Sequence, residues 1–125
     1  QMKVIRLPWV DRNVMRTAPR DVAFLFGDNL TRKGNGGQAK IMRGEPNAIG
    51  VATKLCPNND SRCFMTDDDY EANCRVIDED LAKLGKYKVV VIPTAGLGTG
   101  LARLEEKAPR TFAYLQKKLG ELEND

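Results

Sequence analysis

The sequence predicts an α/β domain whose sheet is covered by helices on both faces. Residues 22–26 and 89–92 are apolar throughout, without the alternation of a half-exposed strand. Such runs are typical of strands buried on both faces of a parallel sheet. Segments with an apolar period near that of a helix alternate with them, which argues for strand–helix–strand units. Both runs also lead into glycine-rich loops, at the sheet edge where open α/β folds bind ligands.

At 125 residues the chain has the size of one domain with one core, taken as residues 1–125. No apolar run approaches membrane-spanning length, and no leader is expected ahead of the first strand. The three cysteines, Cys56, Cys63 and Cys74, form an odd set without CxxC spacing. That set argues for free thiols in a reducing cytoplasm and against a disulfide framework. The chain has no histidine, the commonest metal ligand and the commonest acid–base residue. No metal site and no cofactor are expected, and the protein is expected to be a monomer. The net charge of +3 is unevenly spread. Residues 1–54 carry ten Lys and Arg against four Asp and Glu, so that stretch is +6 and the rest −3. A basic half suits a phosphate-bearing ligand or a nucleic acid, and equally a solvated surface. No nucleic-acid-binding motif supports the second option.

Residues 3–7 read as a first strand, stopped by Pro8. Residues 9–21 are polar and irregular, with Trp9 and Met15 expected to tuck against the core. The second strand runs into Gly27, Asp28 and Asn29, a turn signal. Residues 38–43 read as a short helix facing back to the loop before it. A third strand over 49–53 is followed by Lys54 and a polar loop. Thr66 with Asp67, Asp68 and Asp69 reads as a capping box opening a helix, with Asp in the place of the usual Glu. The apolar face of that helix holds Tyr70, Cys74, Ile77, Leu81 and Leu84, and Gly85 is its expected C-cap. After the fourth strand a helix opens near Glu105, with Leu104, Ala108, Phe112, Leu115 and Leu119 on one face. Pro109 fits there only in a first turn or after a break.

Three loops leave the carboxyl ends of strands, over residues 27–37, 54–61 and 94–102. The last contains Gly96, Gly98 and Gly100. Glycine lets backbone N–H groups approach an anion closely; an ordinary tight connection is the alternative. No GxxxxGK[ST] phosphate loop is present. Gly34, Gly36 and Ala39 fit the spacing GxGxxA, but they begin eight residues after Phe26. A dinucleotide turn has its glycines directly after the strand.

Taken in order, Gly34 to Ala39, the pair Thr53 and Lys54, and the stretch from Pro93 to Leu104 resemble the ligand loops of macrodomains, the ADP-ribose-binding α/β modules. They are most similar to the branch that resembles the terminal ADP-ribose protein glycohydrolase, with one extra residue in the last stretch. The resemblance covers about residues 22–120. It implies a three-layer, macrodomain-like fold with a mixed, mostly parallel sheet. It implies that Gly96, Leu97, Gly98, Thr99, Gly100 and Leu101 wrap a pyrophosphate with backbone N–H groups, with Thr94 and Ala95 before them also binding the ligand. Gly34, Asn35, Gly36, Gly37, Gln38 and Ala39 would flank the distal ribose and help hold the pyrophosphate. Asp28 or Asn29 would hydrogen-bond that ribose or the leaving group. Asp11 stands where the family contacts adenine, without the family's neighbouring glycine. Trp9 or Phe112 is a candidate to stack on the base, with core packing the other role for Phe112.

Lys54 stands where the glycohydrolase branch has a lysine that attacks the anomeric carbon. An amine attacks only when neutral, which desolvation or a nearby cation such as Lys40 or Arg43 would favour. A surface or phosphate-pairing lysine is the alternative. The branch also carries an acid directly after its Gly-x-Gly-Leu, where this chain has Ala102. Asp28 or Glu45 would have to replace it. The expected function is therefore a hydrolase that releases ADP-ribose from a protein or nucleic acid, or that acts on a phosphorylated ADP-ribose derivative. The alternative is a non-catalytic binder of ADP-ribose or of a related cyclic nucleotide signal. In either case a bulky residue at Gly98 is expected to fill the phosphate path.

Overall fold

The computed structural model describes residues 2–124. Its strands are β1 (Lys3–Leu7), β2 (Val22–Asn29), β3 (Ala48–Lys54) and β4 (Val89–Pro93), in the sheet order β1-β4-β2-β3. Every strand pair is parallel. The mixed sheet implied by the resemblance is therefore corrected. Among the described residues the antiparallel contact is a single bridge between Lys54 and Phe64. The helices are α1 (Arg12–Thr17), α2 (Ala39–Met42), α3 (Tyr70–Ala82), α4 (Leu104–Lys107) and α5 (Pro109–Asn124).

Successive side chains of a strand point to opposite faces. Ala23 and Leu25 of β2 join one apolar cluster, with Ile77 of α3 and Leu115 and Leu119 of α5. Phe24 and Phe26 join the other, with Met15 of α1 and Met42 of α2. The sheet is thus covered on both faces, as its unbroken apolar strands predict. Topology explains the sorting. The chain steps across the sheet in one direction from β1 through β2 to β3, then returns to insert β4. Right-handed crossovers place α1 and α2 on one face and α3 on the other.

Several expectations are corrected. β2 does not turn at Gly27. It continues to Asn29 because Gly27, Asp28 and Asn29 pair with Val51, Ala52 and Lys54, with a bulge between Asp28 and Asn29. Thr66 makes no side-chain capping bond, and Asp67–Asp69 form a 3-10 turn before α3 opens. Asp67 instead accepts the amide N–H groups of Arg110 and Thr111 at 2.8 and 2.9 Å, capping α5 across the fold. The residues buried on α3 are Asn73, Ile77 and Asp80, whereas Tyr70, Cys74 and Leu81 are only half-buried. Gly85 lies in a 3-10 turn over Lys83–Lys86 and is not in the left-handed region, so it is not the C-cap. The last helix is two, broken at Ala108, with Pro109 at the first position of α5, where no N–H is needed. Met15 is buried, but Trp9 is 56% exposed.

Cys56 and Cys63 are joined in a disulfide, leaving Cys74 free. The expected set of three thiols is overturned, and the inference of a reducing compartment drawn from it falls as well. The pair was legible only as two cysteines flanking a polar loop, and nothing in their spacing says that the chain doubles back there. No helix among the described residues is long and apolar enough to cross a membrane.

Candidate functional site

β2 and β4 are neighbours whose following loops leave toward opposite faces, the first to α2 and the second to α4 and α5. A crevice opens at the carboxyl edge of a sheet where this happens. Here it is a cleft of about 340 Å³, walled by residues 33–39 on one side and 95–102 on the other, with Lys54 and Trp9 also lining it. The two walls come close. A Cβ on Gly36 would sit 3.4 Å from Leu101 Cδ1, and one on Gly27 would sit 3.8 Å from the Gly98 nitrogen.

The amides of Leu97, Gly98, Thr99, Gly100 and Leu101 donate to no protein acceptor among the described residues. Unspent N–H groups at the mouth of a cleft suit an anionic ligand. The backbone, rather than the side chain, carries this property at Leu97, whose side chain is buried in the core. Gly98 has φ +75°, and a Cβ there would lie 3.0 Å from Leu104 Cβ and 3.2 Å from Thr53 Cγ2. A side chain at this position points into the packing beneath the loop, not along the cleft. The expectation that it would fill a phosphate path is corrected on that geometry.

Asp28 and Asn29 are both committed to holding the loop. Arg43 donates to both Asp28 oxygens, at 2.6 and 3.2 Å, and the Asn29 amide donates to Oδ1 at 2.8 Å. Arg32 approaches Oδ2 at 3.6 Å. Arg43 also donates to the Gly34 and Lys33 carbonyls, tying α2 to the wall of the cleft. The Asn29 amide nitrogen donates to the Lys33 carbonyl at 2.8 Å, and its oxygen accepts from the Thr31 backbone and hydroxyl. Both residues line the cleft. Asp28 is thus held by Arg43, and Asn29 holds the turn through Thr31 and Lys33, so both stand at the cleft as parts of its wall. Glu45 is unavailable as an acid, because it pairs with Arg16 at 3.1 Å, outside the cleft.

Arg32 and Asp80, which the sequence did not single out, support the site from behind, and Arg43, expected only as a cation beside Lys54, holds Asp28. Asp80 is buried on α3, where it accepts two bonds from Arg32 at 2.8 and 3.0 Å and one from the Ala52 amide at 2.8 Å. The network pins the second wall to the sheet. Its signal in the sequence was a polar residue at an apolar helical position, Asp80 one step before Leu81.

Lys54 is 7% exposed, and burial lowers its amine below the usual lysine range. No carboxylate among the described residues lies within 4 Å of it. Its Nζ donates to the Asn58 carbonyl at 2.7 Å and is 3.5 Å from that of Pro57. Arg43 lines the same cleft but is committed to Asp28, and Lys40 does not line it. Arg103 and Lys107 stand with Lys54 around the Phe64 ring, all between 5.1 and 5.7 Å from its centre.

Asp11 is the N-cap of α1, accepting from the Val14 amide at 2.9 Å, and it does not line the cleft. Thr94 is exposed and lies outside the lining; its amide donates to the Leu7 carbonyl. Neither residue is brought to the cleft. Gln38 lines the cleft, but its amide exchanges hydrogen bonds with the Val10 backbone at 3.0 and 3.2 Å. It holds the segment that carries Trp9, which stands exposed at the rim with Leu101 on the facing loop. Phe112 packs against the core instead.

The sequence pattern of a family of unknown function (DUF7831) matches residues 6–118. No curated protein and no solved structure matches the chain.

Proposed function

We propose, for a chain that belongs to the DUF7831 family of unknown function, that the cleft binds ADP-ribose and that Lys54 releases it from an ester. The observation that carries this reading is the run of unspent amides over residues 97–101, facing a second glycine-rich wall across a crevice that holds a buried lysine with no carboxylate partner among the described residues. The amides suit the pyrophosphate. The exposed Trp9 at the rim suits a nucleobase, because a ring of that size offers a stacking face. The resemblance of the same loops to those of macrodomains supports the assignment.

The chemistry follows from what surrounds Lys54. Attack by its neutral amine on the anomeric carbon forms a C–N bond as the bond to the leaving group breaks. Water then cleaves that C–N bond, giving ADP-ribose and the free amine. No acid is placed to protonate the leaving group. Asp28 is held by arginines, Ala102 stands where the macrodomain branch has its acid, and the chain has no histidine. The substrate must therefore carry a leaving group that departs as a stable anion. A carboxylate qualifies, and an amine or guanidine does not.

Isothermal titration with ADP-ribose, with AMP and NAD as comparisons, tests the binding. Selective binding of ADP-ribose is expected, and equal or absent binding of all three removes the reading. Lys54→Ala separates the two functional classes. It is expected to keep binding and lose release of ADP-ribose from an ester-linked substrate. The same missing acid favours a second reading, a binder of ADP-ribose without turnover. Wild-type protein that binds and yields no product from any ester would establish that one.

A further inference from the structure

We infer that the Cys56–Cys63 disulfide positions the Lys54 amine, so that the chemistry of the cleft depends on the oxidation state of this cysteine pair. The inference rests on the reading of Lys54 as the reacting group. Lys54 ends β3, and the chain then runs out through Cys56 and back through Cys63 to Phe64. The return is stitched by the Leu55 amide on the Cys63 carbonyl at 2.7 Å and by the bridge between Lys54 and Phe64. The disulfide ties the base of this loop, with the two Cα atoms 4.7 Å apart.

What the loop presents inward is the Lys54 site. The Asn58 and Pro57 carbonyls receive the Nζ hydrogens. Pro57 also forms part of the cleft wall, so close to Gly34 that a Cβ there would meet Pro57 Cβ at 2.8 Å. In the neutral amine, two hydrogens directed at two carbonyls leave the lone pair free for an electrophile. The remaining side-chain hydrogen bonds of residues 58–62 stay within the loop. Asn58 accepts from the Asp60 amide, and Asp60 pairs with Arg62 at 2.8 Å. They shape the loop without fastening it to the sheet. Arg103 and Lys107 share the Phe64 ring with Lys54, and both are near Glu106. None of them replaces the two carbonyls.

A dithiol reductant would open the S–S bond. Two electrons and two protons pass to Cys56 and Cys63, giving two thiols, and the reductant closes to its own disulfide. With the covalent tie gone, the base is held only by the Leu55–Cys63 hydrogen bond and the Lys54–Phe64 bridge, and the loop regains conformational entropy. The Lys54 amine loses its acceptors and gains water.

The test is a brief pulse of an acetylating reagent across a pH series, with each lysine read by peptide mass spectrometry. In the native protein the Lys54 acetylation curve is expected to rise at lower pH than that of a short lysine peptide treated alongside. After dithiothreitol treatment, and in the Cys56→Ser, Cys63→Ser double variant, the two curves are expected to coincide. Circular dichroism checks that the fold persists, and the reductant arm on wild-type protein stands if the double variant fails to fold. A Lys54 curve unmoved by reduction overturns the inference. So does a count of three free thiols in the air-oxidised native protein, where one is expected. Titration of the same samples with ADP-ribose keeps the two ideas separate. Absent binding removes the ligand reading and leaves the Lys54 result standing.

Discussion

Arg43 grips Asp28 with both terminal nitrogens of its guanidinium, at 2.6 and 3.2 Å, and this pair joins the wall of the cleft to the sheet. Asp28 has a nearly buried side chain, while Arg43 keeps about a quarter of its own in contact with solvent. Removing one partner of such a pair strands the other, which costs on the order of 3 kcal/mol. Arg43→Ala is therefore expected to lower stability by about that amount in urea unfolding, and to loosen residues 33–37 by amide exchange. Arg43→Lys is expected to recover only part, since an ammonium cannot hold two oxygens and the Gly34 carbonyl at once.

Lys54 makes stability depend on pH. Its folded-state amine is depressed by burial, so the unfolded chain holds the proton more tightly. Between the lowered value and the ordinary one near ~10.4, the unfolded state binds more protons, and stability rises with pH. Lys54→Met removes the buried amine. Its melting temperature is expected to exceed that of the wild type at neutral pH, with the gap closing as the pH approaches 10. A gap that widens with pH would contradict the assigned environment.

Trp9 is mostly exposed, so its removal should spare the fold and weaken the ligand. Base stacking on an aromatic ring contributes ~1–3 kcal/mol. Trp9→Ala is expected to reduce ADP-ribose affinity by roughly tenfold or more, with an unchanged melting temperature. Gln38→Ala is expected to weaken binding as well, because it frees the Val10 backbone that carries Trp9.

Asp67 caps α5 from a distant part of the chain. Burial opposes its ionisation, but the amides of Arg110 and Thr111 and the Thr111 hydroxyl together hold it below the usual carboxylate range. A lowered carboxyl stabilises the fold above its unfolded value and loses that contribution as the pH falls through the folded value. Asp67→Ala is expected to cost about 1 kcal/mol at neutral pH. The difference from wild type should shrink in acid, below about pH 4, as read by thermal melts.

Gly98→Val is expected to act through packing. Its side chain would collide with Leu104 and Thr53 beneath the loop, and the backbone there has φ +75°. Loss of stability by about 2 kcal/mol or more should accompany any loss of binding. Wild-type stability with abolished binding would show that the side chain faces the cleft after all.

The strands were legible because their signal is local. An unbroken apolar run such as residues 22–26 or 89–92 needs burial on both faces wherever it sits, and a parallel sheet provides it. That the glycine-rich loops after β2 and β4 meet at one edge was legible for the same reason, since the edge follows from strand direction alone. What the sequence could not determine were pairings between distant residues. Asp28 looked like a free carboxylate until Arg43 was brought onto it, and Asp67 looked like the cap of α3 until α5 was laid against it. Cys56 and Cys63 looked like thiols until the loop doubled back. A side chain's residue type states what it can bond. Only the tertiary structure decides whether that capacity is spent inside the protein, as at Asp28, or left, as at the amides of residues 97–101, for something else.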